Sequence, residues 1–391
     1  MSAIDVLAYL LVPAISMCLA WGIRGQTGHE WGAALCGATV GLALAMVSRD
    51  PAKVKKAFAL GATGGFGYAW GGMMSYGAVA GLATNPQATG AQIALSLAQL
   101  FLLGAIWGGL GGGVLGIACS RRNYGPVAPL LIFGACWLAG KVLYVVFIDA
   151  LQFDIGHRHQ SWAFMLGAWL ALLIACWRDG TVLTTSILGG MGIGAGLVVG
   201  PLLTRVGLCP FVQGLHMPLD WWKVAEHTIG FFGGLGLGLA LLLLEGRGHA
   251  AYLPERAHPV RPFLAQAFTL WFIPAWNASN VFTYWTLEKG LMSTKVCGLY
   301  LFAALGVLLA AAGCWLGRLY GGTGIGPRLN ETAAAALGLF WLVWAGTLIA
   351  GLKMLWPYQG AGYVLTQIGF IVMAILVTAY LIIRAPSCEG A

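Results

Sequence analysis

Long apolar segments without charged residues dominate the sequence and restrict what the chain can fold into. Of its 391 residues, 59% are hydrophobic and only 9% are charged, whereas soluble domains usually carry about a quarter charged residues. Lipid must therefore surround most of the chain, and backbone groups in lipid have to be bonded within helices or a closed barrel. A barrel would show short alternating runs, so the unbroken runs predict an all-α integral membrane protein.

About twelve apolar segments approach the length of about 20 residues that a membrane-spanning helix needs. The predicted spans are roughly 6–23, 31–48, 57–82, 93–118, 127–148, 161–177, 181–204, 224–244, 263–284, 296–317, 332–355 and 361–383. If the N-terminus is cytoplasmic, thirteen Lys and Arg residues lie in cytoplasmic segments and six in external loops. This excess follows the positive-inside rule. We expect a multi-pass protein of a bacterial-type inner (plasma) membrane, with both termini cytoplasmic.

Four stretches of the first half match stretches of the second half in the same order. The matched segments are 29–44 with 226–241, 66–70 with 272–276, 102–111 with 308–317 and 134–138 with 338–342. Bias toward Gly, Ala and Leu is one explanation, but it does not account for the paired Trp residues. The alternative is two six-helix repeats, 1–179 and 180–391, which are parallel because each contains an even number of helices.

This 6+6 organisation resembles the architecture of the major facilitator transporters. The loop SRDPAKVKK between the second and third helices lacks that family's signature, so the resemblance concerns architecture alone. It implies two helix bundles that move about a central cavity. The 59 Gly residues fit close helix packing in either case, because small residues let helix backbones approach each other in lipid.

Polar residues gather at the predicted external start of the second helix in each repeat. His29 and Glu30 align there with Glu226 and His227. A carboxylate at a helix N-terminus is explained by the helix dipole alone, but the His beside each carboxylate is not. The predicted third helices add aromatic and amide groups, and intramembrane amides usually face the protein interior or a cavity. The predicted solute-binding or coupling residues are Arg24, Gln26, His29, Glu30, Trp70, Asp220, Glu226, His227, Trp276, Asn277 and Asn280.

These residue types fit a small polar or anionic solute, such as a sugar or an acidic glycan fragment. Flat aromatic faces suit the C–H groups of a sugar ring and amides suit its hydroxyls, while the fork of Arg24 fits a carboxylate or phosphate in two contacts. A carboxylate in a low-dielectric cavity can load and release a proton near neutral pH. Lys141, within a predicted helix, needs a carboxylate, a carbonyl or water nearby.

Three functions remain open on the sequence alone. The pattern favours a secondary transporter, with proton coupling as one option. The second option is a membrane-embedded transferase or hydrolase with a His and carboxylate site on the periplasmic face. The third option is an accessory subunit of a larger complex.

The net charge of +8 is spread over loops and predicts no nucleic-acid partner. The nine Cys show no metal-ligand spacing, so we expect no metal or cofactor. The expected partners are the bilayer and the solute, and an oligomer or complex is compatible with the glycine-rich faces.

Overall fold

The computed structural model describes residues 3–48, 53, 56–122, 124–125, 127–155, 161–216, 219–246, 262–288, 331–354 and 375. For some of the helical residues, Gln26 among them, the description covers the backbone alone. This part of the chain is nearly all helical and contains no strand. Its helices are α1 (Ala3–Thr27), α2 (His29–Val47), α3 (Ala57–Gly71), α4 (Gly77–Thr84), α5 (Gly90–Cys119), α6 (Val127–Tyr144), α7 (Ser161–Ala175), α8 (Gly180–Gly207), α9 (Pro210–Gly214), α10 (Trp221–Gly246), α11 (Pro262–Ala267), α12 (Ile273–Glu288) and α13 (Glu331–Met354).

Two helices are extended by π-helical turns. Val145–Ala150 continues α6, and Phe268–Phe272 joins α11 to α12. Within the described residues, six helices are long and apolar enough to cross a membrane: α1, α2, α5, α6 with its extension, α8 and α10. These helices make the chain an α-helical protein suited to a membrane. The predicted span 296–317 lies outside the described residues, as does 361–383 apart from residue 375, so the count of twelve stays a prediction.

The single helix predicted over 57–82 is wrong, because the chain breaks between α3 and α4. The last residue of α3 is Gly71, and a side chain there would overlap the Trp107 ring of α5. A second glycine follows, and adjacent glycines have low helix propensity. Tyr76 follows the break at residues 72–76 and packs against Arg24 of α1 and Trp222 of α10.

Six helices form a closed ring in which each packs against the next: α1, α10, α8, α5, α3, α2 and again α1. Neighbours are antiparallel and very close. A Cβ on Gly234 of α10 would overlap the backbone of Pro13, and one on Gly238 would overlap the backbone of Tyr9. Glycine at these contacts lets the backbones of α1 and α10 touch, which is how helices associate without a hydrophobic driving force between them.

The remaining helices lie outside the ring. The α6–α7 pair packs beside α5, whereas α12 and α13 pack against α1 and α2. Most of α6 is exposed on the protein surface, including Leu130, Leu131 and Leu138, as expected for a helix that faces lipid. Lys141 is also exposed on α6, and its Nζ lies 5.9 Å from the ring centroids of both Trp137 and Tyr144.

The glycine pairs that the repeat treats as equivalent have different partners. Gly37 of α2 packs on Gly64 of α3, but its counterpart Gly234 packs on α1, which belongs to the other predicted half. The ring also crosses the boundary between 1–179 and 180–391, since α8 and α10 complete it. The two-repeat organisation therefore stays a prediction.

Candidate functional site

The centre of the ring is filled by two tryptophans from opposite helices. Trp21 of α1 and Trp107 of α5 have ring centroids 5.1 Å apart, and each is at most 1% exposed. The indole N–H of Trp107 donates to the backbone carbonyl of Tyr68 at 3.0 Å. The pair forms an aromatic floor near one end of the ring. We call this end, where α1 ends and α2 and α10 begin, the site end.

Arg24 lies on this floor with only 2% of its surface exposed. Its guanidinium carbon is 4.6 Å from the ring centroid of Trp107, 5.2 Å from that of Trp21 and 5.3 Å from that of Tyr76. Its Nη1 donates to the Tyr76 hydroxyl at 3.1 Å, and its Nη2 lies 3.0 Å from His29 Nδ1. Its Nε is buried and has no hydrogen-bond partner among the described residues.

A buried ion pair stands beside this arginine. Lys223 and Glu226, one turn apart near the start of α10, are each 3% exposed and bonded to each other. Lys223 Nζ also donates to the carbonyl of Gly22 at 3.3 Å. The Glu226 carboxylate fills the space next to Gly25, where a Cβ would overlap it. The first turns of α10 are thereby joined to the last turns of α1.

These groups lie close enough together to form one cluster. Arg24 contacts His29 and Tyr76, and the Glu226 carboxylate, which is bonded to Lys223, lies against Gly25, the residue after Arg24. We call Arg24, His29, Tyr76, Lys223 and Glu226 the Arg24 cluster. It combines two buried cations with one buried carboxylate, and ionisable groups at such depth are expensive to keep in a membrane protein.

The structure brings three of the predicted residues together here, namely Arg24, His29 and Glu226. His227 follows Glu226 on α10, is half-buried, and its Nδ1 contacts the carbonyl of Lys223. Glu30 is exposed at the first turn of α2. The side chain of Gln26 lies outside the described part of the structure.

Trp276, Asn277 and Asn280 hold the corner between α1 and α2. Asn280 Nδ2 donates to the carbonyl of Thr27 at 3.0 Å, and Asn277 Nδ2 donates to that of Trp31 at 3.1 Å. The rings of Trp31 and Trp276 are 4.6 Å apart. These contacts attach α12 to the start of α2, close to His29.

Trp70 lies apart from the cluster, whereas Asp220 contacts it through the backbone of Lys223. Trp70 packs against Phe133 of α6, with ring centroids 4.9 Å apart. Asp220 caps α10, because its Oδ1 accepts the N–H groups of Trp222 at 3.0 Å and Lys223 at 3.2 Å. Both contacts have a structural explanation that needs no solute.

Sequence reasoning did not select four residues that complete the site, Trp21, Tyr76, Trp107 and Lys223. A signal existed for Lys223, because a cation three residues before Glu226 on one helix forms an i,i+3 pair. Trp21 carried the same kind of signal, because it stands three residues before Arg24 on α1, whereas Tyr76 and Trp107 reach Arg24 from other segments only after folding.

A second polar cluster closes the opposite end of the same helices. Glu245, near the end of α10, accepts hydrogen bonds from Ser48 Oγ at 2.6 Å, from Lys53 Nζ at 3.0 Å and from the Tyr9 hydroxyl. We call these four residues the Glu245 cluster. It ties the beginning of α1 and the end of α2 to α10.

Asp179 anchors the helices at the same end as Glu245. Its Oδ1 caps α8, and its Oδ2 accepts hydrogen bonds from the hydroxyls of Ser120 and Tyr124, the latter at 2.7 Å. Burial, together with hydrogen bonds to Asp179 and Cys176, raises the pKa of the Tyr124 phenol above its ordinary value of 10.0.

No known family model, curated protein or solved structure matches this chain. Within the described ranges, no three His, Cys, Asp or Glu side chains converge on a point where they could hold one metal ion. Functional inference therefore depends on the chemistry of the Arg24 cluster.

Proposed function

We propose that the protein is a multi-pass secondary transporter for a small polar or anionic solute, such as a sugar or an acidic glycan fragment. The observation that supports this proposal is the burial of Arg24 on the axis of the helix ring. The proposal retains twelve spans in two parallel six-helix repeats, in a bacterial-type inner membrane with both termini cytoplasmic. The site end then faces the periplasm.

A purely structural role does not explain why the protein keeps a buried cationic cluster, because burying charges is energetically unfavourable. Replacing buried ion pairs with apolar residues is often neutral or stabilising, so such pairs are weak evidence for stability. Intramembrane ionisable residues usually mark substrate or ion pathways. The Arg24 cluster lies inside the ring, where α1, α2 and α10 meet, and not on a lipid-facing surface.

The two ends of the ring differ in a way that suits alternating access. At the site end, exposed Gly25 and His29 adjoin the buried guanidinium. Below it, the Trp21–Trp107 floor blocks the axis, and the Glu245 cluster ties the helices together at the far end. This is the arrangement expected of a transporter whose site faces one side while the path to the other side is closed.

Glu226 is the proposed coupling residue. Its carboxylate is buried against Gly25 and bonded to Lys223, so protonation would remove the charge that holds Lys223 in place. Lys223 also donates to the Gly22 carbonyl of α1, so a Lys223 side chain released from Glu226 would loosen the contact between the start of α10 and the end of α1. A proton and a change in helix packing are thereby linked at one side chain.

Transport is tested by reconstituting the purified full chain in proteoliposomes and measuring uptake of radiolabelled glucuronate and glucose under an inward proton gradient. We expect gradient-dependent uptake that Glu226→Gln abolishes while the variant still elutes as a monodisperse protein. Asp149→Asn, which changes an exposed acid on the π-helical extension of α6, is the matched control and retains uptake.

The alternatives give different results in this assay. A transferase or hydrolase would leave a chemically altered glycan substrate, and an accessory subunit would show no uptake until its partner is added. Uptake that is equal in wild type and Glu226→Gln would remove the coupling role from this residue.

A further inference from the structure

We propose that the Arg24 cluster binds a singly charged oxyanion, such as the carboxylate of a sugar acid, in preference to a neutral solute or a dianion. This inference rests on the proposed function, because it names the class of solute that the same site takes. It follows from the charge balance of the cluster and from the unused edge of one guanidinium group.

The charge balance leaves one cation in excess. Arg24 and Lys223 are both buried and positive, whereas Glu226 supplies one negative charge. Lys223 and Glu226 are bonded to each other. Arg24 cannot lose its proton in a protein, and a buried charge without a counter-charge is strongly unfavourable. Within the Arg24 cluster, the positive charges therefore exceed the negative ones by one, and a bound monoanion would balance them.

Arg24 also has an N–H group that is available to a ligand. Its Nη groups contact the Tyr76 hydroxyl and the His29 ring, and neither of these partners is a carboxylate. Its Nε is buried without a described partner. The guanidinium fork can present two parallel N–H groups to an oxyanion, which gives strong and directional bonds.

The surrounding rings direct the ligand to that edge. Trp107, Trp21 and Tyr76 surround the guanidinium carbon, with ring centroids between 4.6 and 5.3 Å away. Because aromatic faces attract the cation but donate no hydrogen bond to an oxyanion, they orient the group without competing for the ligand. Approach from the site end passes Gly25, the exposed residue next to Arg24 in sequence.

The charge balance predicts a ligand preference that one substitution should shift. With one excess positive charge, the wild-type cluster favours a monoanion. Glu226→Gln removes the only carboxylate of the cluster and leaves two excess positive charges, so the preference should move toward a dianion. The substitution closely preserves the shape of the side chain and removes its negative charge.

Binding is measured on the full chain in phosphatidylcholine nanodiscs, from the dependence of the thermal unfolding midpoint on ligand concentration. The probes are glucuronate, glucose and glucose 6-phosphate, which are a monoanion, a neutral sugar and a dianion of similar size. We expect glucuronate to stabilise the protein more than either of the others. Arg24→Gln should weaken glucuronate binding about 10- to 100-fold, the range for lost hydrogen bonds to a charged group.

Arg205→Gln is the matched control, because Arg205 lies on α8 at the same end and donates to the carbonyl of Asn85 at 3.0 Å, outside the cluster. It should leave glucuronate binding unchanged. Glu226→Gln should raise the affinity for glucose 6-phosphate relative to glucuronate, and this gain cannot arise from misfolding. Glucose binding as tightly as glucuronate, or equal losses in Arg24→Gln and Arg205→Gln, would overturn the proposal.

Two further experiments are informative. One distinguishes the possible sources of the anion, and the other distinguishes the anion site from the transport function. In the first, wild-type protein is compared in phosphatidylglycerol nanodiscs and in nanodiscs of neutral lipid. If glucuronate stabilises the protein only in neutral lipid, the result would support an oxyanion site and assign its occupant to a lipid headgroup. Glucuronate binding without uptake in proteoliposomes would refute transport and support the anion site. Uptake of glucose alone would support transport and refute the anion site.

Discussion

Trp21 and Trp107 meet at the centre of the helix ring, with centroids 5.1 Å apart, although they belong to helices on opposite sides of it. The contact joins α1 to α5 through side chains, whereas the glycine contacts join neighbouring helices through backbones. It also supports Arg24, whose guanidinium carbon is closer to Trp107 than to the other rings.

Replacing Trp107 with alanine should destabilise the protein strongly. The substitution leaves a cavity on the ring axis and removes the hydrogen bond to the Tyr68 carbonyl. Losses for buried Trp→Ala changes are about 3–5 kcal/mol, so the thermal unfolding midpoint in detergent should fall by many degrees. The control is Trp137→Ala, because Trp137 is 50% exposed on α6. Equal destabilisation by the two variants would contradict the central position of Trp107.

Glycine at the α2–α3 contact should tolerate no side chain. A Cβ on Gly37 would overlap the carbonyl of Gly64, and both are backbone atoms that cannot turn away. We expect Gly37→Ala to lower the unfolding midpoint. Gly134→Ala should leave it unchanged or raise it, since nothing lies within 4 Å of that position on α6 and alanine favours a helix by up to about 1 kcal/mol. A neutral Gly37→Ala would contradict this backbone contact between α2 and α3.

Much of the helical framework could be predicted from hydropathy. The predicted spans 31–48 and 181–204 correspond to α2 and α8 within a few residues. The ring could not be predicted, because the partner of each glycine face depends on helix order in three dimensions. Gly234 illustrates this, since its pattern resembles that of Gly37 but its partner is α1.

The site could be predicted from the sequence where its polar residues are close together along the chain. Arg24 and His29 stand five residues apart and do contact each other. Tyr76 was not predictable as a partner of Arg24, because the break after α3 that delivers it is hidden in a continuous apolar segment. Trp70 shows the converse, since a plausible cavity residue packs against Phe133 of a peripheral helix.

The Glu245 cluster should be necessary for a stable closed end. Glu245→Ala leaves Lys53, Ser48 and Tyr9 without the carboxylate that they share. Removing one partner of a buried pair can cost about 3–5 kcal/mol; the slight exposure of this one reduces that figure. The measurement is the unfolding midpoint, with Asp149→Ala as an exposed-acid control. A midpoint equal to that of the control would show that the cluster does not tie the helices together.

Tyr124 should make stability depend on alkaline pH. Burial and its bond to Asp179 raise the pKa of the phenol above 10.0, so the folded protein holds this proton more tightly than the unfolded chain does. The contribution is fully present below pH of about 10 and is lost as the pH rises further. Between pH of about 9 and about 11, the unfolding midpoint of wild type should fall more steeply than that of Tyr124→Phe. Parallel slopes would mean that this phenol does not control the transition.

The most direct test of the buried arginine site is a cryo-electron-microscopy map of the full chain in phosphatidylcholine nanodiscs, with and without saturating glucuronate. We expect ligand density on the ring axis beside Nε of Arg24, above Trp21 and Trp107 and within hydrogen-bonding distance of the guanidinium. A map in which the ligand lies elsewhere, or in which a protein carboxylate already occupies that edge of Arg24 in both conditions, would contradict the assignment of this cluster as the binding site.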